Sequence, residues 1–349
     1  MTPELAELCH RQGGVFTPRQ ALTHGMTPNE LRSATRAYAV VSIRQGVLTT
    51  ADRLVGADVV SRHAMDIAAA LLLRNRRPPW PGSLGPAPSL AAGHLSAAVL
   101  WNLGGPLPPL VRTRPPARPS DRGFRTERPF EPARKVELVS ADRCRRSYRW
   151  GVEVCPADLP PEHVTRHGML PTTTRARTAI DLARELPWQE AVTVTDAALH
   201  WGTTQSELHA VLDHCASWRG STQAARVLAF ADGRAESPAE SVARVIFDML
   251  SLPEPELQVD IYDVSGLIGR VDFLFRGQRT IIEIDGKIKY LSPFGDPGEV
   301  LWREKLREDR LREAGYEVVR ITWEQLMGDP QLIRARILAA FARAARLSI

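Results

Sequence analysis

The chain has 349 residues, 44% apolar and 24% charged, a balance that excludes a collagen-like or wholly disordered protein and suits two or three domains. Its longest apolar stretch, from Ile67 to Leu73, is seven residues, whereas a membrane helix needs about 20, so no span is expected. Net charge is +5 but uneven: residues 74–149 carry +10, residues 150–236 carry −4 and residues 237–349 carry −2, so the basic excess sits in one segment, as on a phosphate-contacting surface.

The start, with Glu4 and Glu7, has no basic-then-apolar leader, and a cytoplasmic protein is expected. Cys9, Cys144, Cys155 and Cys215 lie far apart, which argues against a zinc ribbon or a disulfide framework. Of the 45 basic residues 41 are Arg, so the four lysines stand out; Lys287 and Lys289 flank an acidic cluster.

Taken in chain order, Thr2-Pro3 opens a helix that Gly13-Gly14 stops, and Thr17-Pro18 opens a second. Thr27-Pro28-Asn29-Glu30 is a capping box that starts a third, running to about Arg36. Short apolar runs around Val40-Val41 and Val47-Leu48 flank a turn at Arg44-Gln45-Gly46. Three helices followed by a hairpin make a winged helix-turn-helix, whose third helix would enter the major groove with Asn29, Arg32, Ser33 and Arg36 as contacts.

Residues 78–132 hold 13 prolines and read as loop, interrupted by a helix at about Ser89–Leu103. Strands are expected near Val136–Val139 and Val152–Val154, with Arg143, Arg145, Arg146 and Arg149 between them as phosphate contacts. Helices follow near Thr178–Leu186, Trp188–Leu199, Gln205–His214 and Thr222–Ala231. His163 and His167 have helical metal-ligand spacing but no third ligand nearby, so the pair reads as incidental.

From residue 237 the expected order is α-β-β-β-α-β: a helix over Pro238–Leu250, strands at Leu257–Tyr262, Gly269–Phe275 and Thr280–Asp285, a charged helix over Val300–Ala314, and a strand at Glu317–Thr322. The basic amphipathic tail Leu332–Leu347 reads as a closing helix rather than a membrane-surface segment. Gly277-Gln278 suits a two-residue type II′ turn, in which cross-strand partners have numbers summing to 555. Asp272 then opposes Glu283 and Arg270 opposes Asp285, while Val271, Phe273, Phe275, Ile282 and Ile284 line an apolar opposite face. Opposed carboxylates repel, and a divalent cation relieves that; Mg²⁺ prefers oxygen ligands and serves phosphodiester hydrolysis. The alternative is a solvated face on which Arg270 pairs with Asp285. Glu240, in Ser237-Pro238-Ala239-Glu240, reads either as a capping-box residue or as a further metal ligand, with Glu236 as an outside candidate.

This order, with Asp272 on one strand and Glu283-Ile284-Asp285-Gly286 on the next, resembles the PD-(D/E)xK nuclease superfamily, and more narrowly its very-short-patch-repair (Vsr) endonuclease-like branch. Asp309-Arg310, Gly315 and Val319-Arg320-Ile321-Thr322-Trp323-Glu324 fit the later part of that pattern. The resemblance implies a Mg²⁺ or Mn²⁺ site with Asp272 and Glu283 as ligands and Glu240 completing it. The superfamily lysine is replaced by Asp285, which leaves Lys287 or Lys289 to supply its positive charge. Gly13-Gly14-Val15-Phe16-Thr17 through Gly46-Val47-Leu48, with His94–Leu100 and Thr174–Ala183, resembles the AbiEi-like antitoxins of type IV toxin–antitoxin systems. In place of that family's Gly-containing turn stands Ala37-Tyr38. This second resemblance implies DNA as a partner, and a cognate toxin protein.

The expected architecture is therefore an α/β multidomain chain. It comprises a winged helix-turn-helix at 1–73, a basic Pro-rich segment and mixed α/β region at 74–236, and a restriction-endonuclease-like domain at 237–349. The expected activity is metal-dependent cleavage of DNA in phage defence or repair. The alternative is a non-catalytic antitoxin-like repressor that keeps the nuclease fold for binding.

Overall fold

Three Thr-Pro pairs set the start of the chain. In α1 (Pro3–Arg11), α2 (Pro18–Thr23) and α3 (Pro28–Arg36) the threonine before the proline accepts a backbone N–H from the first turn, and proline fills a position whose own N–H would have no partner. In α2 and α3 the side chains of Gln20 and Glu30 return the bond to the cap amide, closing capping boxes. The computed structural model describes residues 1–74, 89–104, 135–285 and 297–347, a mixed α/β chain that divides into two compact units. The first comprises Met1–Arg184 with Gln205–Ser221, the second Glu185–Thr204 with Thr222–Ile349, so residues 74–236 are shared between them.

In the first unit, Leu5, Cys9, Phe16, Ala21, Met26, Val40 and Leu48 hold the three helices against the hairpin of β1 (Val40–Arg44) and β2 (Val47–Thr50). Helix α3 gives that core only the part-buried Leu31 and Ala34, and its outer face stays exposed. Tyr38 just beyond α3 has φ 54°, the left-handed position that usually takes glycine. Two helices absent from the sequence reading follow, α4 (Ala51–Val55) and α5 (Val59–Arg74). The apolar run 67–73 belongs to α5, whose Ile67 to Leu71 lie in one core with the six-stranded sheet.

That sheet has the order β5-β6-β4-β3-β8-β7. Its strands are β3 (Leu90–Ala92), β4 (Val136–Ser140), β5 (Ser147–Arg149), β6 (Val152–Pro156), β7 (Val164–His167) and β8 (Leu170–Thr173). The single helix expected over 89–103 is instead β3 followed by α6 (His94–Trp101). Leu90, Ala91 and Ala92 are all buried, and a side chain on Gly93 would meet Val139 Cγ1 at 2.6 Å, so the chain must pass close to β4 before it can coil. Helix α7 (Arg175–Glu185) follows β8. Helix α8 (Trp188–His200) belongs to the second unit, and α9 (Gln205–His214) to the first.

The second unit continues through α10 (Ser221–Phe230) and α11 (Pro238–Met249) to β9 (Glu256–Asp263), β10 (Gly266–Phe275) and β11 (Thr280–Asp285). Then come α12 (Pro297–Glu313), β12 (Glu317–Thr322), α13 (Trp323–Leu326) and α14 (Pro330–Leu347). The sheet order is β12-β11-β10-β9; β10 is antiparallel to both neighbours and β12 is parallel to β11. Phe273 pairs with Ile282, Leu274 with Ile281 and Phe275 with Thr280, so partner numbers do sum to 555. The turn is not a two-residue type II′, however. A short 3₁₀ turn at Arg276–Gln278 and Arg279 at φ 44° make a four-residue loop with the same midpoint, which preserves the register.

The sheet is covered on both sides. Phe273 and Phe275 meet Phe247 of α11 and Phe341 of α14, with ring centroids 5.1–5.8 Å apart. On the other side Leu274 and Ile281 pack with Leu311 of α12. The strand face expected to present Asp272, Glu283 and Asp285 with Arg270 is thus partly buried at Leu274 and Ile281, because α12 lies across it. The tail is α14, whose Ile333, Ile337, Ala340 and Ala344 are buried at helical spacing and which packs on β12 and β11. Among the described residues no helix is long and apolar enough to cross a membrane.

Candidate functional site

Beyond Phe273 and Ile282 the strands β10 and β11 carry Asp272 and Glu283. The ladder between them changes character here: Asp272 Oδ2 accepts the backbone N–H of Ile284 at 2.8 Å. Glu283 is buried, and its carboxylate is met by two arginines, Arg307 of α12 at 2.8 Å and Arg320 of β12 at 3.6 Å. Arg320 also reaches Asp285 at 3.7 Å, Glu304 at 2.9 Å and Glu308 at 3.2 Å. These carboxylates hold its guanidinium firmly protonated, against the cost of partial burial. The expected partner of Asp285 is therefore corrected: Arg270 pairs with Asp260 at 3.1 Å and Glu236 at 3.4 Å. It lies next to β9, and Arg320 takes its place beside Asp285.

The sequence reading missed Arg307, Glu304 and Glu308, and quoted Arg320 only as part of a motif, without a role. Glu304, Arg307 and Glu308 stand at i, i+3 and i+4 on α12, which places them on one face. That spacing was the available signal; the crossing of α12 over the sheet was not. Gly269 contributes by having no side chain, since a Cβ there would lie 2.6 Å from Arg307 Nε. Arg307 also donates to the carbonyl of Arg270 at 2.6 Å, which fixes its path over β10.

Glu240 is buried near the start of α11. Its own N–H donates to Ser237 Oγ, as a cap requires, at 3.3 Å. Its carboxylate accepts from Ser237 Oγ at 2.6 Å, from the N–H of Glu236 at 3.0 Å and from Gln258 Nε2 at 2.8 Å. The return bond thus goes one residue before the usual cap amide. Burial, reinforced by the nearby charge of Asp272, pushes its pKa above the ordinary glutamate range despite those bonds. Glu240 and Asp272 are therefore electrostatic neighbours.

The donor chemistry here, carboxylate oxygens only, suits a hard divalent cation. The present arrangement suits it less: Arg307 occupies Glu283, and one oxygen of Asp272 is committed to Ile284. Among the described residues, no three His, Cys, Asp or Glu side chains gather closely enough to hold a metal ion. A cation shared by Asp272 and Glu283 thus requires Arg307 to turn away. Lys287 and Lys289 lie outside the described residues.

The candidate DNA-contacting residues divide. Asn29, Arg32, Ser33 and Arg36 are all exposed on α3, with Arg32 donating to Asn29 Oδ1. Arg143, Arg145 and Arg149 are exposed around the β5–β6 hairpin. Arg146 instead joins a carboxylate cluster: it contacts Glu153 at 3.3 Å, and Lys135 bridges Glu137 and Glu153 at 2.7 and 2.5 Å. Glu137 and Glu153 are register partners on parallel strands, so a cation between them is required by their spacing.

His163 and His167 do not share a helix; a short 3₁₀ helix ends at the first and β7 at the second. His163 Nδ1 meets the fully buried Arg177 at 3.0 Å, whereas His167 packs edge-on to Trp101. Arg177 also bonds Asp181 at 2.8 Å and the Asp158 carbonyl at 2.8 Å, and lies over Trp218.

No protein-family model matches the chain. Over 173 residues it is 35% identical to two uncharacterized proteins of Mycobacterium tuberculosis, MT2308 of strain CDC 1551 / Oshkosh and Rv2248 of strain ATCC 25618 / H37Rv. The matched stretch is 49% of this chain and spans 62% of the length of each relative.

Proposed function

We propose that residues 237–349, within the second unit, form a PD-(D/E)xK-type, Vsr-like endonuclease domain that hydrolyses DNA phosphodiester bonds with Mg²⁺ or Mn²⁺. We propose further that α1 to β2 form a winged helix-turn-helix that binds DNA through α3. The observation that carries the first reading is the placement of Asp272 and Glu283 on adjacent strands of an α-β-β-β-α-β unit, with buried Glu240 close to Asp272. Asp272, Glu283 and Glu240 would hold the cation, which supplies charge neutralisation at the scissile phosphate and an activated water. Arg307 and Arg320 would orient the phosphate once the cation takes over Glu283, a part that the resembled superfamily gives to lysine. The exposed α3 side chains and the arginines around β5–β6 support DNA as the partner.

A second reading has its own support. Arg307 and Arg320 already neutralise Glu283 without a metal, as suits an AbiEi-like repressor that keeps the fold for binding and pairs with a toxin. A plasmid-nicking assay in Mg²⁺ or Mn²⁺ decides between them. Nicking by the wild type and none by Asp272→Ala supports the nuclease. DNA binding without nicking in either protein favours the repressor.

A further inference from the structure

Strands β5 and β6 pair Arg149 with Val152, which leaves Trp150-Gly151 as a two-residue turn. Both residues have positive φ, 52° and 75°, the type I′ geometry that normally selects Asn-Gly or Gly-Gly. A tryptophan is a poor choice there on backbone grounds, and it fills no core: Trp150 is 68% exposed and Tyr148 59%. The Arg149 guanidinium lies 4.0 Å over the Trp150 ring. Arg44 anchors the tip from β1: it donates to the Trp150 carbonyl at 3.0 Å while paired with Asp66 at 3.3 Å. Arg74, at the end of α5, reaches the Arg149 carbonyl at 3.5 Å. Burial and the positive charges of Arg143 and Arg149 lower its pKa, so three guanidinium groups crowd one place. Among the described residues no carboxylate pairs with Arg74, Arg143 or Arg149.

We infer that this hairpin tip is a binding site for single-stranded DNA, with Trp150 and Tyr148 stacking on unpaired bases and Arg74, Arg143 and Arg149 holding the flanking phosphates. The charge cluster calls for a polyanion, and exposed flat rings call for one whose aromatic faces are free. A duplex offers phosphates but hides its base faces. An anionic membrane offers charge, but two rings on a narrow tip make a small apolar wedge. The anchored, strained turn presents the rings without an ordering cost at binding.

The test measures binding of the full chain to an oligo(dT) strand and to a duplex of equal length, in EDTA, so that the outcome is independent of the metal site. Trp150→Asn is the decisive variant, because Asn-Gly suits the turn and the melting temperature should hold or rise. Trp150→Asn and Tyr148→Ala should each weaken oligo(dT) binding by about tenfold, with duplex binding unchanged, and Trp150→Phe should restore most of it. Reversing Arg74, Arg143 and Arg149 to Glu should weaken both and flatten the salt dependence. Wild-type protein that does not bind oligo(dT), or a folded Trp150→Asn variant that binds it unchanged, overturns the proposal. So does a Trp150→Asn loss confined to phosphatidylserine vesicles.

Discussion

Arg307 of α12 and Glu283 of β11 are joined at 2.8 Å, with Glu283 buried and Arg307 passing over Gly269 to reach it. A cation at Glu283 would therefore have to compete with a guanidinium for the same carboxylate. Arg307→Ala should lower the stability of the metal-free protein by about 1–3 kcal/mol, since a buried carboxylate loses its strongest partner. The same variant should show a larger rise in melting temperature with Mn²⁺ than the wild type, because the ion then has only the more distant Arg320 to displace. Thermal denaturation of both proteins with and without Mn²⁺ reads both effects. An equal or smaller metal response in Arg307→Ala argues that no cation site shares Glu283.

Asp272 and Glu283 should differ in what neutralisation does. Asparagine at position 272 keeps an acceptor for the Ile284 N–H, so Asp272→Asn should leave metal-free stability within about 0.5 kcal/mol. Glutamine at position 283 gives up the charge that faces Arg307 and Arg320, and Glu283→Gln should cost about 1–3 kcal/mol. Both should abolish nicking if the nuclease reading holds. Urea titrations in EDTA check the stability pair. A stabilised Glu283→Gln would mean that repulsion from Asp272, rather than attraction to the arginines, dominates at this carboxylate.

What the sequence could and could not disclose follows from the range of each interaction. The β10–β11 register was readable because alternation and turn midpoint are local; even a different turn left Phe273 opposite Ile282. The apolar run 67–73 concealed α5, because a segment buried all round loses the helical period that reveals an amphipathic one. Edge strands β5 and β7 escaped notice for the opposite reason: Ser147–Arg149 and Val164–His167 are short and polar. The carboxylates of the site were visible as residue types, but Arg307 and Arg320 reach them only through the crossing of α12 and the parallel pairing of β12.

Among the described residues Arg177 is the largest fully buried side chain, and its bonds to Asp181, His163 and the Asp158 carbonyl lie within the first unit. Removing one partner of a buried charge pair strands the other. Arg177→Met should therefore destabilise that unit by about 3–5 kcal/mol, although methionine replaces much of the volume. Denaturant unfolding followed by circular dichroism measures it. A loss below about 1 kcal/mol would show that Asp181 finds sufficient compensation in Arg184, its other partner at 3.1 Å.

Asp196 of α8 and Arg244 of α11 form a buried pair at 2.7 Å, and Asp196 also accepts the Asp232 N–H at 2.7 Å. Burial nevertheless pushes the Asp196 carboxyl up to about 6, against the pull of Arg244. An acid whose folded pKa is raised binds a proton in the folded state that the unfolded chain has already released. Its contribution to stability is thus greatest below about pH 4 and is lost as pH rises through 6. The Asp196→Asn side chain has no such titration and keeps an acceptor for the Asp232 N–H. The stability advantage of wild type over Asp196→Asn should therefore shrink by up to roughly 3 kcal/mol between pH 4 and pH 7. Other carboxylates with lowered pKa values, such as Asp232, pull total stability the opposite way, but they are common to both proteins and cancel in the difference. Urea unfolding of the two proteins at pH 4, 5, 6 and 7 gives that difference directly. An advantage that grows with pH would mean that Arg244 more than offsets the cost of burial, and that the folded pKa of Asp196 lies below its unfolded value.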